Sequence, residues 1–277
     1  MAGLNPEWLV PDWPAPAHVK AVFTTRSGGV SSAPFESLNL GDHVGDALAD
    51  VQANRVRLAQ ACGAHAVFLK QVHGTKVLTL IAGAPDGQSA DACVTTQRQL
   101  ACSIMVADCL PVLLTTVDGT AVAAAHAGWR GLAGGVDSLQ NGVLEAVVTS
   151  FLASIEAAVQ PEVAQAAIKI IAWLGPCIGP SAFEVGAEVN ASFEACKPEA
   201  GHFFVPVAPG KYLANLAGLA RQRLGALGIT EVYGNDGSDA WCTVLNPNRY
   251  FSHRRDAGAN GNGCGTTGRM AACVWLE

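Results

Sequence analysis

The chain has 277 residues, half of them hydrophobic, with 14 % charged and a formal net charge of −6. It can bury a sizeable core, and this balance argues against nucleic acid or an anionic membrane as partner. The opening M-A-G-L-N-P-E-W-L-V-P-D-W-P has no basic leader, no apolar run reaches a bilayer span, and nine scattered cysteines without C-x-x-C suit a reducing compartment, so a cytoplasmic protein is expected.

Residues 1–18, rich in proline and tryptophan, read as an irregular arm of a single domain spanning 1–277. Val19–Thr25 reads as a strand entering the polar loop T-T-R-S-G-G-V-S-S, where Arg26 and backbone amides could meet an anion. Asp46 is placed to cap a helix running to about Cys62. Two short strands, A-V-F-L-K and K-V-L-T-L, then flank Gln71-Val72-His73-Gly74, which puts His73 at a strand end or tight turn.

A β-rich stretch follows, with strands expected at Asp91–Thr96 and Ala101–Val106 and in a hairpin of Pro111–Val117 and Thr120–Ala125 about Asp118-Gly119. Pairing about that turn brings Leu110 and Pro111 beside His126, so Cys109 and His126 could share one site. The Gly128-Trp129-Arg130-Gly131 turn should lead into a helix over 131–152. Ala153–Gln165, broken by Pro161, is the one plausible break between halves.

Ala167–Leu174 reads as a buried strand ending in the stiff G-P-C-I-G-P turn, where Cys177 is either a packed loop residue or a functional thiol. Helices are expected over 187–196 and 211–227, and short strands over 231–233 and 240–244. The C-terminal stretch combines a basic F-S-H-R-R-D, a mobile glycine-rich A-G-A-N-G-N-G-C-G and a final buried strand.

His73, Cys109 and His126 together would give a catalytic zinc three ligands and leave a fourth position for water. Asp108 could orient a ligand or take a proton, or simply cap a turn. The same thiol and imidazole also suit a cysteine hydrolase, with Cys109 as nucleophile and His126 as its base, and two histidines with one cysteine suit a single type-1 copper. The H-x-E/P-C-x-x-C pattern of nucleobase deaminases, the H-x-H pairs of multicopper oxidases, G-x-S-x-G, the P-loop and a dinucleotide fingerprint set between a strand and a helix are all missing.

The motifs Q-V-H-G, A-D-C-L-P-V-L-L, H-A-G-W-R-G, G-P-C-I-G-P with F-E-V-G, and F-S-H-R-R-D with T-T-G-R-M-A occur in order from about Thr24 to the C-terminus. They resemble the YfiH family, which also carries the names polyphenol oxidase (laccase) and peptidoglycan editing factor. The resemblance implies an α/β (α+β) sandwich of mixed sheets with helices outside, and zinc held by His73, Cys109 and His126. It further implies purine nucleoside phosphorylase activity on adenosine, inosine and methylthioadenosine, with adenosine deamination beside it; copper-dependent laccase chemistry and a cysteine hydrolase acting on a cell-wall precursor are the alternatives, and a non-enzymatic binding role stands apart from them. The glycine-rich insertion before T-T-G-R-M looks longer than is usual for the family. For phosphate the candidates are Arg26, Arg130 and Arg254 or Arg255, as planar multi-donor cations. Asn39 and Gln71 are candidates for reading ribose or purine edges.

Overall fold

The computed structural model describes residues 3–134, 141–158, 168–257 and 265–277. Two sheets stack face to face. The first has the order β1-β13-β5-β2, built from β1 (Val19–Phe23), β2 (His65–Phe68), β5 (Leu100–Val106) and β13 (Met270–Leu276). The second has the order β12-β8-β6-β7-β4-β3, with β3 (Val77–Thr79), β4 (Ala92–Thr95), β6 (Leu110–Thr116), β7 (Val122–Ala127), β8 (Ile170–Leu174) and β12 (Val232–Gly234). Both are mixed: β2 lies parallel to β5, β3 to β4 and β12 to β8, and the other pairs are antiparallel.

Strand alternation explains the layering, because successive side chains point to opposite faces. Phe23, Ile104, Val274 and Met270 from the first sheet meet Cys93, Leu113, Val122, Ala124 and Trp173 from the second. The far face of the second sheet, with Leu110, Val112, Leu114 and Ala125, packs under α3 (Val143–Ala158), α4 (Ala187–Glu194) and α5 (Leu216–Ala226). The far face of the first is covered by Leu58 of α1 (Leu48–Cys62) together with Trp8, Leu38 and Leu40. Strands sandwiched this way are covered on both faces, which is why β5, β6 and β13 are buried without interruption and largely apolar, Ser103, Thr115 and Thr116 being the exceptions. The expected sandwich of mixed sheets with outer helices is the observed architecture. A smaller antiparallel sheet, β10 (Phe204–Ala208), β11 (Lys211–Ala214) and β9 (Glu184–Gly186), lies beside α4.

Several local expectations need correction. The helix expected over 131–152 is two helices, α2 (Trp129–Ala133) and α3, because Gly134 at φ 88° ends the first; residues 135–140 lie outside the described ones. Lys211–Ala214 is a strand, and α5 begins only after Asn215, whose side chain accepts from the Gly218 N–H. Residues 240–244 contain a 3₁₀ turn at Asp239–Trp241 and an isolated Cys177–Cys242 bridge in place of a strand. Asp46 does not cap α1 in the usual way. The N-cap is Ala47, and the Asp46 carboxylate accepts instead from Ser31, Asn39 and the Ala47 N–H.

Residues 3–18 form turns and one isolated bridge, Leu9 to Phe23. The break expected at 153–165 falls partly in α3 and otherwise outside the described residues, as does most of the glycine-rich stretch, 258–264. No described helix is long and apolar enough to cross a membrane, and the eight described cysteines are all free thiols.

Candidate metal centre

The hairpin register decides the site. β6 and β7 pair with Pro111 opposite His126 and Leu110 opposite Ala127, so Cys109, one residue before β6, arrives beside the end of β7. Asp108 occupies the turn from β5 to β6 with φ 86°. His73 reaches the same place from the Q-V-H-G turn, itself left-handed at φ 59°. The His73 Nε2 and Cys109 Sγ are 3.7 Å apart, and the two imidazoles meet edge to face with centroids 4.7 Å apart. One donor atom from each of His73, Cys109 and His126 lies within 4.8 Å of the others. Among the described residues this is the one His/Cys/Asp/Glu group of that geometry.

Close approach depends on glycine at two positions. A Cβ on Gly128 would sit 2.8 Å from His73 Cδ2 and 3.1 Å from Cys109 Sγ, and one on Gly131 would sit 2.8 Å from the Gly74 carbonyl oxygen. H-A-G-W-R-G therefore has glycine where the ligands and the Q-V-H-G turn press against the start of α2.

The donor set fits a borderline-soft divalent ion. Two imidazoles and one thiol suit zinc or a type-1 copper, and both ions accept three protein donors. In the metal-free protein, burial pushes the Cys109 thiol up, but the charge and hydrogen bond of His126, with help from His73, bring it down to about 6. Burial pulls His126 down, and the Cys109 thiolate and the Asp91 carboxylate raise it to about 9. A thiolate held against an imidazolium is a site prepared for a cation once the imidazole proton leaves.

The triad opens into a cavity of about 470 Å³. Its lining combines apolar and aromatic side chains, Trp129, Ile178, Phe183 and Leu216, with the guanidiniums of Arg130, Arg254 and Arg269 and the imidazoles of His43 and His253. Three of these were not singled out from the sequence: His43, His253 and Arg269. Burial lowers the pKa of Arg269, while the negative charge of Cys109 and Asp108 raises it, so its guanidinium stands in the field of the site.

The remaining candidates divide. Asp108 lines the cavity, and its carboxylate accepts from the Thr243 hydroxyl at 2.6 Å and from the Arg254 N–H at 2.6 Å, which fixes the segment carrying His253 and Arg254. Gln71 lines the cavity, but its amide exchanges two hydrogen bonds with the Met105 backbone, so it is a brace. Arg130 stacks on Trp129. Arg26 is not in the cavity: it donates to the Glu36 and Pro247 carbonyls and packs over Phe251. Arg255 is likewise spent on Asp256 and on the carbonyls of Thr243, Val244 and Tyr250. Asn39 is fully buried and bonds Gly41, Asp46 and the Arg269 N–H. Cys177 is buried behind the cavity against Asn235, and burial pushes its thiol up.

A family profile described as multi-copper polyphenol oxidoreductase laccase matches residues 20–277. The purine nucleoside phosphorylase YfiH of Escherichia coli is 44 % identical over 97 % of this chain and 98 % of its own. The chain belongs to the YfiH family. Another member, a Pseudomonas aeruginosa protein also named purine nucleoside phosphorylase, is 46 % identical over 98 % of both chains. Among solved structures, a Neisseria meningitidis protein superposes with a TM-score of 0.79 at 43 % identity, covering 98 % of this chain and 99 % of its own. YlmD of Geobacillus stearothermophilus superposes with a TM-score of 0.76 at 31 % identity, covering 94 % and 93 %. The relatives of this chain are thus named for nucleoside chemistry, while the family profile is named for copper.

Proposed function

We propose that this YfiH-family chain is a cytoplasmic, zinc-dependent purine nucleoside phosphorylase that accepts adenosine, inosine and methylthioadenosine and also deaminates adenosine. The observation that carries this reading is one cavity that joins the His73–Cys109–His126 donor set to aromatic and cationic side chains. Its volume of about 470 Å³ is in the range of small-molecule sites. Phosphorolysis breaks the bond from the ribose anomeric carbon to the purine nitrogen and forms one from that carbon to a phosphate oxygen. The departing purine takes up a proton. Positive charge develops on the ribose, and negative charge on the base, so the site must hold an anion against the sugar and offer donors to the purine.

Trp129 and Phe183 supply flat apolar surface for a purine. Arg130, Arg254 and Arg269 supply cations for phosphate because, unlike Arg26 and Arg255, they line the cavity; Arg254 also donates to the Glu184 carbonyl and Arg269 to the Thr267 and Gly268 carbonyls. Bound at His73, Cys109 and His126, zinc would supply a Lewis-acid charge and an open position for a phosphate oxygen or a water. Asp108 supports these cations by holding the Arg254 backbone.

Purified protein incubated with adenosine or inosine, with and without phosphate, decides the reaction. Free base and ribose 1-phosphate formed only with phosphate are expected. Free ribose formed equally without phosphate would make the protein a hydrolase, and no turnover with zinc and phosphate present would overturn the reading.

A second reading is favoured by the Cys109 thiol near 6 beside His126 near 9, the charge state of a cysteine nucleophile with its base. Metal analysis separates the two. About one zinc per chain, lost together with activity in Cys109→Ala, supports the metal reading; an active metal-free protein inactivated by thiol alkylation supports the hydrolase. The copper reading of the family profile predicts a visible charge-transfer band on copper loading.

A further inference from the structure

Asp91, the residue immediately before β4, is fully buried, and its carboxylate is surrounded by donors. Oδ1 accepts from His126 Nδ1 at 2.9 Å and from the His73 N–H at 2.8 Å; Oδ2 accepts from the Gly74 N–H at 2.7 Å; the Val72 N–H lies 3.2 Å from both oxygens. The Asp91 carbonyl accepts from the His126 N–H at 2.7 Å. One side chain thus grips the turn that carries one imidazole and the ring of another, 18 and 35 residues away in sequence.

We propose that Asp91 is the positioning residue of the metal centre, setting the orientation of His73 and the tautomer of His126 at the same time. This rests on the metal reading above. A carboxylate only accepts hydrogen bonds, so His126 must keep its proton on Nδ1 and direct Nε2 at the site. The three successive N–H groups of Val72, His73 and Gly74 converge on the same anion, and their bonds compensate the left-handed backbone of His73. A purely structural anion would need no imidazole partner, and a partner for His126 alone would not close the Q-V-H-G turn. Asp91 does both, and both outcomes point a ring nitrogen at Cys109. Histidine ligands backed by a carboxylate bind metal 10- to 100-fold more tightly than the same ligands without it, by the general behaviour of such outer partners (about one to two decades).

The test is Asp91→Asn, which keeps the shape but replaces one acceptor oxygen by an NH₂ that would confront either the Gly74 N–H or the His126 Nδ1–H. Zinc affinity is read by competition with a chromophoric chelator, in wild type, in Asp91→Asn and in Asn54→Ala. Asn54→Ala removes a comparably buried polar side chain from a different network, binding Ser31 and the Ser37 and Asn39 carbonyls. The expected result is zinc binding weakened roughly 10- to 100-fold by Asp91→Asn and unchanged in Asn54→Ala. Equal zinc affinity in wild type and Asp91→Asn overturns the proposal alone; a wild type that binds no zinc overturns it together with the metal reading. Should Asp91→Asn not fold, nitrogen NMR of zinc-loaded wild type decides. A protected Nδ1–H on His126 with Nε2 on the metal is expected, and coordination through Nδ1 would refute the role.

Discussion

His126 carries the proton that a metal must displace. With its imidazole at about 9 and the Cys109 thiol at about 6, the metal-free pair holds one proton between those values, on the ring. Zinc binding near pH 7.5 should therefore release about one proton per site, and affinity should fall about tenfold for each pH unit below 9, more steeply below 6 where the thiolate also protonates. Calorimetry in buffers of different ionisation enthalpy measures the release. Stability behaves otherwise. The lowered thiol contributes stability that is full above 9 and lost as pH falls through about 6, while the raised imidazole contributes stability that is full below 6.5 and lost as pH rises through about 9. The two slopes oppose each other, so between about 6.5 and 9 this pair should change the unfolding free energy of the metal-free protein by less than about 1 kcal/mol; denaturant titrations across that range test it. Among the arginines, Arg254→Ala or Arg269→Ala should raise the KM for phosphate by roughly 10-fold or more, the loss of one charged hydrogen bond, and Arg26→Ala should leave it unchanged, by initial rates at varied phosphate. The meeting of His73, Cys109 and His126 was legible because these residues stand in distinctive motifs. The arginine assignment was not, since an arginine's destination depends on carbonyls such as Pro247 O, far away in sequence. Asp91 was hidden for the same reason: in sequence it is only the first residue of a strand.

The β6–β7 hairpin and the turn leaving it do the positioning at the scale of elements. Gly128 has φ −66°, so alanine there meets no backbone strain, yet its Cβ would press on the His73 ring and the Cys109 sulfur. Gly128→Ala should therefore reduce bound zinc by about an order of magnitude, as an outer perturbation of ligand geometry does, while leaving the melting temperature of the metal-free protein within a few degrees. Metal content and a thermal scan check both halves. Asp118-Gly119 made the hairpin readable, and with it the register that joins Cys109 to His126. The stretch Lys211–Leu227 misled because Leu213, Leu216, Ala220 and Leu224 satisfy a helical period while the first four residues pair with β9 and β10. Pairing of that kind lies outside any local window.

At the scale of the whole molecule, the two large sheets are held together by aromatic packing: Phe23 of β1 lies 6.5 Å from the ring of Trp173 on β8 and 6.0 Å from that of Tyr250. Phe23→Ala should cost about 3–5 kcal/mol, the range for removing a buried phenyl ring, measured as a lower denaturant midpoint at fixed metal content. Individual strands and helices were legible from apolar runs too short for helices and from helical stretches between them, whereas their assembly into a sandwich was an implication of the family resemblance. Apart from the β6–β7 hairpin, which strands become neighbours was not legible, because the first sheet joins strands far apart in the chain.

β13 lies between β1 and β5, and among the described residues no other strand bridges them. During translation His73, Cys109 and His126 have all been made by residue 126, whereas the strand that closes the first sheet, Met270–Leu276, follows much later. Until it arrives, β1 and β5 each present an unpaired edge, the condition under which nascent chains most need chaperones. His73, Cys109 and His126 are thus complete in synthesis long before the scaffold that aligns them.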